Sequence, residues 1–401
     1  MNSLLAAMAP SCTASSPALA STLPPGAYGS EELFEIESEK IFRSAWMPLC
    51  REEQVGEINS YYSIDLLGMA LVVTRDRYGE VRVLSRTCRH RWMEIACGSG
   101  VAPALQCPYH LWTYAMDGHL VGAPEMQGVE DFCKEEIALQ SYRHEIWQGF
   151  IFVNLDGQAE PLAPQLSGLD EYLELYDFGG YQTITPTDWG ECAWDWKVMV
   201  DNFMECYHHM GPHRKSLESE YPAKLSYTDA GGEAFSLMWA CQAGGYEATP
   251  PFLSPGAAGL PDELRHKLAI FIVYPLLQVV VGPGFMYWLK TLPLGPGRIQ
   301  LQLDIAMSPA ALAAPDLEAR QKELIEAIVE IHKEDLDVCA AVQRAISGGA
   351  QGQGRLSLLE QPLWEFYQYL GRRLGLATDG LSADSKHVGQ DLAMDERAIS
   401  A

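Results

Sequence analysis

Two groups of cysteine, histidine and carboxylate residues carry the spacing of metal sites. The first reads Cys88-Arg-His90, then sixteen residues, then Cys107-Pro-Tyr-His110. Two thiolates and two imidazoles can close a tetrahedral zinc site. They are also the ligand set of a [2Fe–2S] cluster in which two histidines replace two cysteines on one iron. Zinc fingers more often pair Cys with Cys and His with His. Here each half holds one of each, so each loop can give a thiolate to one iron and an imidazole to the other.

A cluster that carries single electrons needs an acceptor. Further along the chain, within Trp196 to His213, comes Glu205-x-x-His208-x₄-His213. The spacing predicts a helix over Val198 to Met210 with Glu205 and His208 on one face. Gly211-Pro212 should end it and turn His213 toward the same centre. Two histidines and one carboxylate form the facial triad of non-haem Fe(II) oxygenases, which leaves positions open for O₂ and substrate.

With both motifs in order, the chain resembles the α (terminal oxygenase) subunit of Rieske non-haem iron ring-hydroxylating oxygenases from about Glu31 to about Leu376. The first motif of that family, C-x-H-R…C-P-x-H-x-W, is matched by Cys88, His90, Arg91, Cys107, Pro108, His110 and Trp112. The second is matched by Trp196, Lys197, Asp201, Asn202, Glu205, His208 and His213. A late E-D…C-x-x-V-Q pattern is matched by Glu334, Asp335, Cys339, Val342 and Gln343.

The resemblance implies that Cys88 and Cys107 hold one cluster iron and His90 and His110 the other. It gives the mononuclear Fe(II) to His208, His213 and Asp335. It makes Glu205 the residue expected to serve catalysis, bridging a cluster histidine of a neighbouring subunit to an iron-ligating histidine. Most aromatic dioxygenases of the family have Asp there; Glu resembles the branch that includes carnitine and glycine-betaine oxygenases. The resemblance further implies O₂ as co-substrate, a reductase or ferredoxin as electron donor with NAD(P)H used only by a separate reductase, and a head-to-tail homotrimer. The fold expected is α+β: an all-β Rieske domain plus a catalytic domain in which an antiparallel sheet grips a long helix.

Competing assignments lie close by. His209 adjoins His208, and Glu334 and Asp337 share an acidic turn with Asp335, a pattern that is usually a solvated helix face. His119, His144, His266, His332 and His387 have no ligand partner at metal spacing and read as structural or surface residues. Arg82, Arg86, Arg89 and Arg91 surround the first loop; they form either a docking patch for an acidic electron donor or partners for the protein's own carboxylates.

The formal net charge is −25 over 401 residues, which argues against nucleic acid or an anionic membrane as partner. Ten cysteines show no spacing of a disulfide scaffold, and a chain of this length needs no staples, so the reducing cytoplasm is expected. No stretch reaches the length of a membrane span.

The elements that must position these residues fall into two domains. Residues 1–30 read as a disordered tail, since prolines interrupt the apolar run from Met1 to Leu23. Residues 31–156 comprise an entry helix over about Glu31 to Trp46 and then short strand-like runs, at 70–74, 81–84 and 149–153. Gly157 to Pro164 reads as a linker. Residues 165–376 form the second domain, with strands at 225–243, 268–281, 285–292 and 299–306. An amphipathic helix over 316–347, with apolar positions at Leu317, Leu324, Ile328, Ile331, Leu336 and Val338, would carry Asp335 across the sheet. A shorter helix covers 364–374, and residues 377–401 read as a frayed tail.

For the small-molecule substrate, Phe203, Met204, Phe235, Trp239, Phe271, Tyr274, Tyr287 and Trp288 are candidate pocket residues. They suit an arene or a quaternary ammonium held by cation–π contact. Glu205 leans toward monooxygenation or N-demethylation of an amine-type substrate, with aromatic-ring hydroxylation as the alternative. A reading of another class, an electron carrier or zinc-stabilised binding protein without oxygenase activity, would leave two-thirds of the chain without purpose.

Overall fold

The computed structural model describes residues 2–244 and 259–376. The expected C-terminal tail over 377–401, with His387, lies outside the described residues.

The N-terminal half is built of short antiparallel strands. One sheet runs in the order β4 (Val81–Ser85), β3 (Met69–Arg75), β2 (Ser60–Leu66), β5 (Ser99–Val101). A second holds β6 (Leu105–Gln106), β7 (Thr113–Tyr114) and β8 (Leu120–Gly122). A third runs β1 (Met47–Arg51), β10 (Phe150–Asn154), β9 (Arg143–Trp147). The two Cys/His stretches are turns rather than strands. One follows β4, and the other joins β6 to β7.

The C-terminal half is a seven-stranded antiparallel sheet, in the order β11 (Gln182–Cys192), β17 (Arg298–Met307), β16 (Phe285–Gly295), β15 (Leu277–Gly282), β14 (Lys267–Val273), β13 (Phe235–Cys241), β12 (Tyr227–Gly231). Both faces are covered, which is why its strands read as almost unbroken apolar runs. Phe235, Leu237, Trp239, Phe271, Val279 and Trp288 face one layer, made with Phe150, Phe152 and the leucines of α3 (Leu162–Leu173). Met238, Ala240, Ile270, Ile272, Val280 and Leu289 alternate onto the opposite face, beneath α4 (Trp196–Phe203) and α7 (Leu317–Ser347). Two single-turn helices, α5 (Asp262–Arg265) and α6 (Pro309–Leu312), flank strands, and α8 (Gln361–Leu374) closes the edge.

Several expectations need correction. The run 268–281 is two strands joined at Tyr274-Pro275-Leu276; continuous burial on both faces hides the turn from periodicity. The run 225–243 is likewise a hairpin, β12 and β13. Strand β11 and helix α3, whose first turn occupies the end of the expected linker, were not foreseen. The entry helix is shorter: α2 (Glu31–Glu37) passes into a π-turn over Ser38–Phe42.

Residues 2–30, expected to be a disordered tail, are ordered. Helix α1 (Asn2–Cys12) lies against α8, with Met8, Cys12, Leu23 and Ala27 buried. Trp364 donates through Nε1 to the Ala14 carbonyl at 2.7 Å. Gly371 permits the close approach, because a side chain there would come within 2.7 Å of the Cys12 carbonyl. Of the prolines that interrupt the apolar run, Pro10 is accommodated inside α1 and Pro17 opens a short turn over Pro17–Leu19.

Candidate functional site

Helix α4 starts at Asp195, whose carboxylate accepts from the Lys197 N–H. Lys197 is buried and reaches Glu37 and Asp195, both at 2.7 Å, while Trp196 Nε1 donates to the second oxygen of Glu37. This buried group ties α2 to the first turn of α4. The helix ends at Phe203, seven residues short of expectation. A separate 3₁₀ turn over Tyr207–Met210 carries His208. Glu205 and His208 therefore meet through local capping: Glu205 Oε2 accepts the His208 N–H at 2.9 Å, and Oε1 holds His208 Nδ1 at 2.6 Å.

His213 is held the same way by a distant carboxylate, its Nδ1 2.7 Å from Glu334 Oε2, which also accepts from Ser216 Oγ at 2.5 Å. With both Nδ1 atoms engaged, both Nε2 atoms turn to one point. Asp335 Oδ1 completes it, 2.9 Å from His213 Nε2 and 3.6 Å from His208 Nε2. The donor atoms of His208, His213 and Asp335 all lie within 4.8 Å of one another. Burial opposes ionisation of Asp335, yet hydrogen bonds from His213 and His332 outweigh it and hold the carboxyl far below the ordinary range. For His213, burial disfavours the charged ring, but Asp335 and Glu334 raise its pKa above the ordinary value. Carboxylate–imidazole pairs of this kind set ring orientation around a bound metal.

The neighbours that competed for these roles are accounted for. His209 is buried with Nδ1 on the Tyr221 carbonyl at 2.9 Å, and burial pushes its pKa down to about 4. Glu334 supports His213, and Asp337 is exposed. His332, read as merely structural, stands beside Asp335. Its position three residues before Asp335, on the buried stripe Leu324, Ile328, His332, Asp335, Cys339, Gln343 of α7, was the signal available. The apolar pattern drawn through Ile331, Leu336 and Val338 missed that stripe because three of its last four members, His332, Asp335 and Gln343, are polar.

The other four ligand candidates come together on two turns with the same hydrogen-bond pattern. The Trp92 N–H donates to the Cys88 carbonyl at 3.0 Å and the Cys88 N–H to Met93 at 2.8 Å. In the second turn Leu111 donates to Cys107 at 3.0 Å and Cys107 to Trp112 at 2.8 Å. Trp92 and Leu111 both sit at φ 59°. The His90 and His110 rings are 4.6 Å apart, and Trp112 stacks on His90 at 4.8 Å. Both histidine Nδ1 atoms are buried, without a hydrogen-bond partner among the described residues. Both thiols are buried and unpaired. Two orphaned imidazole nitrogens and two free thiols, presented by matching turns, fit a histidine-ligated [2Fe–2S] cluster. Tyr114, which the motif did not flag, places its hydroxyl 3.3 Å from Cys88 Sγ and accepts the Arg89 N–H at 3.0 Å.

Of the basic patch, Arg82 pairs with Asp76, and buried Arg86 pairs with Asp65 and Glu94. Arg89 and Arg91 remain exposed. Of the candidate pocket aromatics, Phe235, Trp239, Phe271 and Trp288 belong to the layer on the far side of the sheet. Tyr287 lies on the α7 side, its ring 5.0 Å from His332; Trp189, not foreseen, is 6.1 Å from His332.

Two turns fitted to an iron–sulfur cluster and a two-histidine, one-carboxylate set beside a seven-stranded antiparallel sheet define a two-centre oxygenase. The sequence matches the Rieske [2Fe-2S] domain over residues 45–142 and the ring hydroxylating alpha subunit (catalytic domain) over residues 172–376. The chain belongs to this family of Rieske oxygenases, oxidoreductases whose cofactors are a Rieske [2Fe–2S] cluster and a mononuclear iron. It is 30% identical to the carnitine monooxygenase oxygenase subunit of Acinetobacter baumannii, over 85% of this chain and 89% of that one. It is 27% identical to the chloroplastic choline monooxygenase of Arabidopsis thaliana, over 89% and 84%. The quaternary ammonium Rieske monooxygenase CntA in complex with L-carnitine superposes with TM-score 0.75 at 27% identity, covering 92% of this chain and 98% of that one. Naphthalene 1,2-dioxygenase from Rhodococcus, at 22% identity and TM-score 0.74 over 88% and 94%, shares the fold.

Proposed function

We propose that this chain is the terminal oxygenase of a monooxygenase system acting on a small quaternary-ammonium substrate. His208, His213 and Asp335 hold its iron, and Cys88, Cys107, His90 and His110 hold its cluster. The observation that carries the reading is the convergence of His208 Nε2, His213 Nε2 and Asp335 Oδ1, with each histidine steadied from behind by a carboxylate. When bound, the cluster relays single electrons from a reductase or ferredoxin, and the ferrous ion activates O₂ beside the substrate. Glu205 and Glu334 keep the Nδ1 protons of the two histidines, so both Nε2 lone pairs are free for the metal.

A head-to-tail ring of three chains is part of the proposal. Around the cluster turns Trp92 is 81% exposed, and Tyr109 and Leu111 are more than half exposed. Beside the iron residues, Tyr207 and Met210 are exposed as well. Exposed apolar groups at both centres suit a contact between the cluster face of one chain and the iron face of the next, and a heterologous contact of this kind closes under cyclic symmetry. In that arrangement Glu205 would serve as the bridge, since each of its oxygens keeps a second lone pair for a neighbour's imidazole.

The substrate class rests on the carnitine and choline monooxygenase relatives, on Glu at position 205, and on the aromatic rings of Tyr287 and Trp189 beside the site, which suit a trimethylammonium group. All ten cysteines are free, which fits the reducing cytoplasm. The test is O₂ uptake by the iron-loaded protein with an electron donor. A panel of carnitine, γ-butyrobetaine, choline and glycine betaine is set against aromatic acids and naphthalene. Uptake driven by a betaine or choline supports the reading. Uptake driven only by the aromatic compounds replaces it with ring hydroxylation.

A further inference from the structure

The two oxygens of Asp335 are used differently. Oδ1 faces the Nε2 atoms of His208 and His213, whereas Oδ2 points the other way and lies 3.2 Å from Nδ1 of His332. His332 is 4% exposed and sits three residues before Asp335 on the inward stripe of α7. A carboxylate can only accept, so the His332 proton is on Nδ1. Its Nε2 is then a bare acceptor, buried, with no partner among the described residues, on a ring that neighbours Tyr287 and Trp189. Such an orphan is a cost that an apolar side chain would avoid, and the neighbouring stripe positions Ile328 and Cys339 are apolar. The imidazole is therefore explained by what its other nitrogen does.

We propose that His332 is a positioning residue for the iron site: by engaging Oδ2 it presents Asp335 to the metal through Oδ1 alone. This rests on the assignment of His208, His213 and Asp335 as the ligand set. A carboxylate with both oxygens free can rotate about its last bond and offer either or both. One whose far oxygen is tied to a buried ring presents a single oxygen in a fixed direction. That leaves more of the metal's coordination positions to O₂ and substrate. Partners of ligating groups at this distance typically change metal affinity by 10–100-fold when removed.

The test compares wild type, His332→Leu and His332→Asn, each purified without oxygen as the full chain. An asparagine amide N–H can occupy the place of Nδ1–H, whereas leucine fills the space without a donor. Three readouts are taken: acid-labile sulfide as a folding control, iron retained per sulfide against a graded chelator, and the EPR signal of the nitric oxide adduct. The expected result is sulfide unchanged, with iron affinity in His332→Leu down about 10–100-fold and its adduct signal altered. His332→Asn should recover both. If His332→Leu keeps wild-type affinity and signal with sulfide intact, the proposal is overturned. It is equally overturned if His332→Asn behaves like His332→Leu, because the ring then acts by packing. Should His332→Leu lose its sulfide by misfolding, His332→Asn decides alone, by retaining or losing the wild-type values. A wild-type protein that binds no iron beyond its cluster would instead refute the ligand assignment, so the two failures are distinct.

Discussion

Lys197→Met is the perturbation whose cost can be worked most directly. Lys197 is 1% exposed and is held by Glu37 and Asp195, each at 2.7 Å. Burial disfavours its charge, but the two carboxylates outweigh that and raise its pKa. Methionine matches the shape and deletes two charge-assisted hydrogen bonds worth about 1.5–3 kcal/mol each, a range of about 3–6 kcal/mol. Breaking a buried pair typically costs about 3–5 kcal/mol, because the orphaned charge stays behind. One relief exists: burial already pushes Glu37 up to about 7, so it can take a proton when its counterion is lost. The expected loss is therefore about 3–5 kcal/mol at pH 8 and less at pH 6, where a neutral Glu37 needs no partner. Denaturant midpoints for wild type and variant at the two pH values, converted with a common slope, make the measurement. Because this group anchors the first turn of α4, the variant should also lose mononuclear iron before cluster sulfide. A loss below about 1 kcal/mol, or one equal at pH 6 and pH 8, would refute the view that an uncompensated buried charge governs this end of the helix.

Three further outcomes are expected. Glu205→Gln should retain cluster and iron, since the amide oxygen can still accept the His208 Nδ1 proton and leave Nε2 to the metal, yet coupled turnover should fall at least about tenfold; near wild-type rates would refute the bridge. Burial raises buried Asp201 to about 7 despite hydrogen bonds from Tyr28 and Tyr367. Between the ordinary value of 3.8 and about 7, the folded state binds more protons than the unfolded one. Stability is therefore lost as pH rises through that window and is level above it, by about 4 kcal/mol at most. Asp201→Asn should remove that slope, and parallel wild-type and variant stability profiles would contradict this origin. Finally, the raised pKa of His213 makes protons compete with iron. Metal-free protein gains stability below the ordinary imidazole range and loses it as pH rises through the folded value. Iron affinity runs the opposite way, so iron per sulfide should begin to fall on acidification while the pH is still above about 6.5. Full iron retention at pH 5.5 would count against proton competition at His213.

What the residue order by itself determined is local: which side chains lie within a few positions of each other, and therefore the Cys/His pairs, the Glu205–His208 spacing and the acidic turn at Asp335. It also determined the class of both domains, because strand-length apolar runs and a long amphipathic helix survive any detail of packing. Its errors came where burial overrides pattern. Strands covered on both faces conceal the turn at Tyr274–Leu276, and α1 is held by packing Met8 and Cys12 into the apolar cluster that contains Leu363, Phe366 and Leu370 of α8. Tertiary structure decided everything that depends on closing a loop of many residues. It brought Glu334 and Asp335 to His213 across more than a hundred positions, turned His209 to the Tyr221 carbonyl while His208 converges with His213 and Asp335, and moved four of the seven candidate aromatics to the far face of the sheet. It also made the two cluster turns equivalent although their histidines stand at different offsets from the cysteines. Spacing along a chain is set by covalent bonds, whereas direction, burial and partner are set by what packs against each side chain.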